Sequence, residues 1–184
     1  MLNKKFPQYV KDSVSKVLIS ERQIKKALKK AGKFIDALYD GKPIVLVSVL
    51  KGAFVFMADV CREVSVPCEI DFMCAKSYYE GTTSTGTVNI TMDLHRNIKD
   101  CHVVIIEDII DTGRTLKDIF KILLEREPAS LSVVTLLEKP SRRLFEFKYD
   151  LSLFTIPDLF VVGYGLDCAE KFRNLKFIAE FKEN

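Results

Sequence analysis

Within residues 107–115 the chain gathers three carboxylates (Glu107, Asp108, Asp111), two hydroxyls (Thr112, Thr115), a glycine (Gly113) and a cation (Arg114). Backbone N–H groups at a helix start make a phosphate cradle. Gly113 lets the backbone approach an anion closely, and Thr112 and Thr115 add hydroxyl donors. Arg114 either adds charge to that cradle or points to solvent. Glu107 and Asp108 would repel a phosphate directly; they suit sugar hydroxyls or Mg²⁺, a hard cation that takes oxygen ligands. A phosphate cradle beside a hydroxyl or metal clamp describes a site for ribose 5-phosphate. The alternative is that Asp111 or Thr112 only caps a helix and the acid pair is solvated loop charge. A lone Asp-Thr-Gly fits that alternative better; the whole string behind an apolar run favours a binding site.

Elements on either side must hold this loop in place. Val103–Ile106 is a β-branched apolar run, and Leu116, Ile119, Phe120, Leu123 and Leu124 recur at helical spacing. The segment therefore reads strand, loop carrying the three acids, helix, with the loop at the carboxyl end of a strand, where open α/β sheets bind ligands. Ile44–Leu50 is a second buried-strand pattern ending in Lys51-Gly52, a dipeptide able to present an ammonium and a backbone N–H to a diphosphate, or simply to turn. Ala53–Val64 has helical length. Ile70–Ala75 and Thr87–Met92 read as strands around a Gly/Ser/Thr-rich loop, Ser77–Gly86, that suits a surface lid or an ordinary hairpin tip. Leu131–Leu137, Leu159–Val162 and Phe177–Phe181 complete the strands. Ser20-Glu21-Arg22-Gln23 is a capping-box start, and Gly41 with Pro43 offers a stop. Between them Ile24, Leu28, Ala31, Ile35 and Leu38 form an apolar face opposite Lys25, Lys26, Lys29, Lys30 and Lys33. Alternating strands and helices predict an α/β fold with a mainly parallel sheet, and residues 1–184 read as a single domain.

Composition excludes several classes. A formal net charge of +3 does not argue for nucleic acid, and the lysines above read as a solvated helix face. Five scattered cysteines without a C-x-x-C predict reduced thiols, neither a disulfide framework nor a zinc site. The N-terminus lacks the apolar stretch of a signal peptide, and no run approaches the roughly 18 apolar residues of a membrane span. A cytoplasmic protein is expected. There is no G-x-x-x-x-G-K-[ST], and Gly163-Tyr164-Gly165 lacks the third glycine of a dinucleotide fingerprint. A receiver-like phosphoacceptor would need an acid pair after its first strand, where this chain has Leu50-Lys51-Gly52.

VVIIEDIIDTGRTL, residues 103–116, resembles the phosphoribosyl-pyrophosphate motif of type I phosphoribosyltransferases, and its IIDTG core is similar to the hypoxanthine-guanine branch. VLKGAFVFMADV (49–60), KSYYEGTTSTG (76–86), LLEKPSRR (136–143) and IPDLFVVGYGLDCAEKFRNL (156–175) resemble the same branch in its chain order. The resemblance implies a twisted, mainly parallel sheet flanked by helices, with a small hood and a flexible lid loop. It implies Mg²⁺-dependent transfer from phosphoribosyl pyrophosphate to a 6-oxopurine, in a homodimer or homotetramer that needs neither nucleic acid nor membrane. Glu107 and Asp108 would then hold the ribose hydroxyls and share Mg²⁺ with Asp167. Asp111 would be the general base, and Asp111 to Thr115 would bind the ribose 5-phosphate. Lys51 and Gly52, after a cis peptide bond, would bind pyrophosphate together with Ser77, Tyr78 and Arg173. Lys139 would face the exocyclic oxygen of the purine, Phe160 would stack on its face, and Val161 and Asp167 would line the same pocket. Glu138-Lys139-Pro140 departs from the commoner neighbours of that lysine and leaves the rate with guanine open. The rival reading is a regulator that keeps the phosphoribosyl loop without catalysis. It would carry a winged-helix extension, for which 184 residues are too few, or a strongly basic face.

Overall fold

The computed structural model describes residues 6–77, 88–144 and 148–182. In chain order the elements are α1 (Gln8–Ser13), β1 (Val14–Ile19), α2 (Glu21–Tyr39), β2 (Ile44–Leu50), α3 (Phe54–Val60), β3 (Cys68–Ser77), β4 (Val88–Met92), β5 (His102–Ile110), α4 (Arg114–Leu124), β6 (Ser130–Glu138), a 3-10 turn Pro140–Arg142, β7 (Leu151–Thr155), β8 (Val161–Val162) and β9 (Ile178–Phe181).

β5 explains the main sheet. Its side chains alternate between faces, yet Val103 to Ile106 are all buried, so both faces must be covered. Val104 and Ile106 join Ile24, Leu28, Ile35, Phe56 and Met57 beneath α2 and α3. Val103 and Ile105 join Leu116, Ile119 and Leu123 beneath α4. The strand order is β4-β3-β2-β5-β6-β7, parallel throughout except that β4 runs antiparallel to β3. Parallel pairing brings the ends of β2, β5 and β6 to one edge, so Leu50, Ile110 and Glu138 each hand the chain to a loop there. A second sheet, β1-β9-β8, is antiparallel and forms the hood over a core of Val10, Val14, Val162, Phe172, Leu175, Phe177 and Ala179.

The capping box is present as expected: the Ser20 hydroxyl accepts from the Gln23 N–H, and the Ser20 N–H donates to Gln23 Oε1 at 2.9 Å. At the far end Asp40 is left-handed and Gly41 follows at φ +80°. Leu38 is exposed, against expectation; Tyr39 is buried instead and its hydroxyl reaches Ser132 Oγ at 3.0 Å. α3 stops at Val60, short of Val64, and β3 runs to Ser77, past Ala75. β5 continues through Glu107 and Asp108 to Ile110, so two of the three acids sit on a strand end, not on a loop. α1, β1 and β7 are additional elements. Among the described residues no helix is long and apolar enough to cross a membrane.

Asp71 on β3 pins the segment between β4 and β5. Buried, it accepts from the backbone N–H of Phe72 (2.8 Å), His95 (2.8 Å) and Arg96 (3.3 Å). Burial pulls its carboxyl upward, but these N–H donors outweigh that and leave it below the usual carboxylate range. The sign follows from a depressed native pKa: the stabilisation is present above the unfolded carboxylate's range and fades as pH falls through the native value. Asp71→Ala is expected to cost about 2 kcal/mol. Thermal melts at neutral pH would show a Tm lower by about 4–8 °C, and the gap should narrow in acid.

Candidate active site

The site grows from the shared carboxyl edge. β5 ends at Ile110, and Asp111-Thr112-Gly113 turns the chain into α4. Gly113 is the N-cap at φ +81°, a left-handed conformation glycine accepts without a Cβ penalty, and it offers no side-chain oxygen to the first turn. Thus neither Asp111 nor Thr112 is the helix cap; Thr112 Oγ1 accepts from the Arg114 N–H at a long 3.4 Å. Thr112 and Thr115 are half-buried beside the glycine, and Arg114 is exposed.

Glu107 and Asp108 form a buried acid pair whose charge is only partly compensated. Glu107 Oε2 is buried without a hydrogen bond, while Asp108 Oδ1 accepts from the Ile109 N–H at 2.7 Å. Burial drives the Glu107 carboxyl well above its ordinary value, and repulsion from Asp108 adds to it. Asp108 is pushed up to about 6, by burial first and by Asp167 in addition, against its backbone hydrogen bonds and the cation of Arg173. Two adjacent acids held this way favour a ligand that donates hydrogen bonds or supplies positive charge.

Two glycine turns are stacked on Asp108 of that pair. A Cβ built on Gly52 would overlap Asp108 Oδ2, so only glycine lets the turn after β2 lie against the acid. A Cβ on Gly165, at φ +101°, would overlap the Gly52 carbonyl oxygen. The Leu50–Lys51 peptide bond is cis. Behind these glycines Arg173 ties the layers together: its Nη1 donates to the Gly165 carbonyl at 2.8 Å, and its Nη2 pairs with Asp167 at 2.8 Å and Glu170 at 3.3 Å. The Gly165 N–H donates back to the Arg173 carbonyl at 3.0 Å. Lys51 Nζ pairs with Glu170 at 3.2 Å, and the Glu170 N–H donates to Asp167 Oδ2 at 2.9 Å. Lys51, Gly52, Asp167 and Arg173 therefore gather around Asp108.

The other wall begins where β6 ends. Glu138 is buried and accepts from Tyr149 (2.6 Å), Thr155 (2.9 Å) and Arg143 (3.3 Å). The next residue, Lys139, donates its N–H to the Ile110 carbonyl at 3.0 Å, which ties it to the base of the phosphate loop. Its side chain is only 8% exposed, a costly burial for an ammonium, with Asp158 at 3.6 Å as partner. Arg142 Nε lies 3.1 Å from Asp111 Oδ1, and its Nη1 lies 3.7 Å from Asp158. In the hood, Phe160 keeps 44% of its surface exposed while its ring meets Phe181 edge-on at 5.6 Å. Val161 is buried behind it in β8.

Ser77 closes β3 opposite Val88. Tyr78 and the rest of the expected lid loop lie outside the described residues. Sequence reasoning missed Arg142, Asp158, Glu170 and the packing role of Gly165. Gly165 carried a signal, the Gly-Tyr-Gly turn; the three charged residues act through long-range pairs such as Lys51 with Glu170, which are 119 positions apart.

Residues 13–169 match the family model for the phosphoribosyl transferase domain. The chain is 45% identical over 174 residues to hypoxanthine-guanine phosphoribosyltransferase of Streptococcus pneumoniae, covering 95% of this chain and 97% of that protein. It is 47% identical over 166 residues to hypoxanthine phosphoribosyltransferase of Escherichia coli K12, covering 89% and 93%. The crystal structure of a hypoxanthine phosphoribosyltransferase from Staphylococcus aureus superposes with a TM-score of 0.92 at 42% identity and 97% coverage of both chains.

Proposed function

The chain belongs to the phosphoribosyltransferase family, and we propose that it is a purine-salvage enzyme that transfers the 5-phosphoribosyl group of phosphoribosyl pyrophosphate to hypoxanthine and guanine, releasing pyrophosphate and giving IMP or GMP. The observation that carries this reading is the stack of Asp108, Gly52 and Gly165 bound together by Arg173, set beside a glycine-capped helix start. That arrangement offers separate places for a diol, a diphosphate and a 5′-phosphate on one sheet edge.

Each group has a task. The turn 111–115 grips the 5′-phosphate with Thr112, Gly113, Arg114 and Thr115. Glu107 and Asp108 accept hydrogen bonds from the ribose hydroxyls, a role suited to an orphaned buried oxygen at Glu107. Lys51, Gly52 and Arg173 hold the departing diphosphate, with Ser77 and Tyr78 assigned to the same group by the family resemblance. Lys139 donates to the purine 6-oxygen, and Phe160 stacks on the ring with Val161 behind it. Asp111 takes the proton from the purine ring nitrogen as that base bonds to C1′. Positive charge develops on the ribose as pyrophosphate leaves, so positioning and electrostatics dominate the rate.

Mg²⁺ fits these residues. No group of three or more His, Cys, Asp or Glu side chains able to hold a metal occurs among the described residues, and an ion that retains water and substrate phosphates needs only one or two carboxylates. One or two carboxylates from among Glu107, Asp108 and Asp167 would hold it. When bound it would neutralise charge on the diphosphate. Residues 1–184 act as one catalytic domain that assembles as a homodimer or homotetramer, without nucleic acid or membrane. The five free thiols suit a reducing compartment such as the cytoplasm.

The test is an assay for IMP from hypoxanthine, phosphoribosyl pyrophosphate and Mg²⁺, run beside guanine, xanthine and adenine. Turnover with the 6-oxopurines and little with adenine is expected; no IMP would overturn the proposal. Lys139→Gln should lower kcat/KM for hypoxanthine about 10- to 100-fold, the worth of a hydrogen bond from a charged donor, while adenine turnover stays at its basal level. An unchanged ratio between the two bases would remove Lys139 from recognition.

A further inference from the structure

We infer that Arg142 is a positioning residue that orients Asp111 and absorbs the loss of its charge, acting through an ion chain that also holds the purine-binding lysine. The inference rests on the phosphoribosyl-transfer reading of the site and adds a residue to it.

Four side chains alternate in sign: Asp111, Arg142, Asp158, Lys139. The links are 3.1 Å from Arg142 Nε to Asp111 Oδ1, 3.7 Å from Arg142 Nη1 to Asp158 Oδ2, and 3.6 Å from Lys139 Nζ to Asp158 Oδ1. Backbone bonds fix where the chain is anchored. The Arg142 N–H donates to the Lys139 carbonyl at 3.1 Å, and the Leu144 N–H donates to the Thr112 carbonyl at 3.2 Å. The 3-10 turn Pro140–Arg142 is thus held to the phosphate loop on one side and to the purine lysine on the other.

Arg142 engages Asp111 through Oδ1, which leaves Oδ2 as the oxygen to meet a ring N–H. The proton step balances on these atoms. The N–H bond of the purine breaks, its electron pair stays with the ring as the glycosidic bond forms, and an O–H bond forms on Asp111. Asp111 is then neutral. Arg142 keeps Asp158 as its counter-ion, so no cation is stranded, and Asp158 in turn keeps Lys139 beside the purine.

Arg142, Asp111 and Asp158 are each substantially solvent-exposed, with side-chain accessibilities of 48%, 39% and 50%. Ion pairs of that kind add little to fold stability, so the effect belongs in catalysis. Arg142→Gln should lower kcat about tenfold, with KM for phosphoribosyl pyrophosphate and Tm close to those of the unaltered protein. Arg142→Lys should recover most of the loss, and added guanidinium ion should partly rescue Arg142→Ala. Three results would overturn the inference: an unchanged kcat in Arg142→Gln, a fall in Tm that accounts for the lost activity, or a rise in KM for hypoxanthine with kcat intact. Failure of the unaltered protein to make IMP would instead sink the transferase reading itself, so the two failures are distinguishable.

Discussion

Replacing Asp111 by asparagine is expected to lower kcat by about 10²- to 10⁴-fold, the usual worth of a positioned general base, with only modest change in affinity for nucleotide. The substitution is nearly isosteric. An asparagine carbonyl still accepts from Arg142 Nε, now 3.1 Å from Asp111 Oδ1, and the glycine-capped start of α4 is untouched. What disappears is an oxygen able to take a proton. Single-turnover formation of IMP, followed beside equilibrium binding of IMP, separates the two quantities. Loss of rate with binding retained supports the base role. Unchanged turnover would remove Asp111 from it, and lost binding with an unchanged chemical step would make Asp111 part of the phosphate grip instead.

The second large effect is at Gly165. Alanine there meets two obstacles at once, a φ of +101° that L side chains rarely adopt and the Gly52 carbonyl oxygen where the new methyl must go. Backbone cannot yield as a flexible side chain would, so the turn 51–53 must move away from Asp108 and the reciprocal bonds between Gly165 and Arg173 must stretch. A loss of about 3 kcal/mol is expected, in the range for strain added to a disrupted contact, or about 6–12 °C in Tm. KM for phosphoribosyl pyrophosphate should rise about 100-fold, as positioned groups are displaced by an ångström or so. Gly41→Ala is the control. It has φ +80° but open space around the new methyl, so it should cost only about 1 kcal/mol and leave KM alone. A Gly165→Ala enzyme that binds its substrate normally would refute the coupling of these turns.

Much of this was readable without coordinates wherever the signal is local. The Ser20–Gln23 reciprocal cap, the apolar face of α2 from Ile24 to Ile35 and the run Ile44–Leu50 are patterns of neighbouring residues, and each forms as expected, Leu38 being the exception on α2. The motif at 103–116 marked the phosphate turn, and its resemblance to a family supplied roles for distant residues that spacing alone could not. The misreadings have tertiary causes. Two acids at 107–108 looked like loop, yet the ladder to β6 runs on through Ile109 opposite Leu137 and Ile110 opposite Glu138, and pairing outweighs local preference there. β1 shows no local signal because, among the described residues, its one strand partner is the distant β9, with Ile19 opposite Ile178. β7 is an edge strand of half-buried residues with little pattern to show. Arg142, Asp158 and Glu170 resemble ordinary surface charges until the fold brings their partners to them.

The hood joins strands that lie far apart along the polypeptide, and this orders events on the ribosome. The six strands of the main sheet are all present by Thr155, so the turn after β5 can begin to form while translation is still under way. The core beneath α2 and α3 is completed only by Ile156, Val161, Tyr164, Leu166 and Ile178. The strip beginning at Val14 must wait as a lone ribbon until Ile178–Phe181 emerges to receive it. Phe160, whose backbone carbonyl accepts from the Phe181 N–H at 2.8 Å, gains its footing at that same moment. A nascent chain would thus lay down the 111–115 turn before Arg173 and before the aromatic platform for a base, and the assembled site would wait for β9.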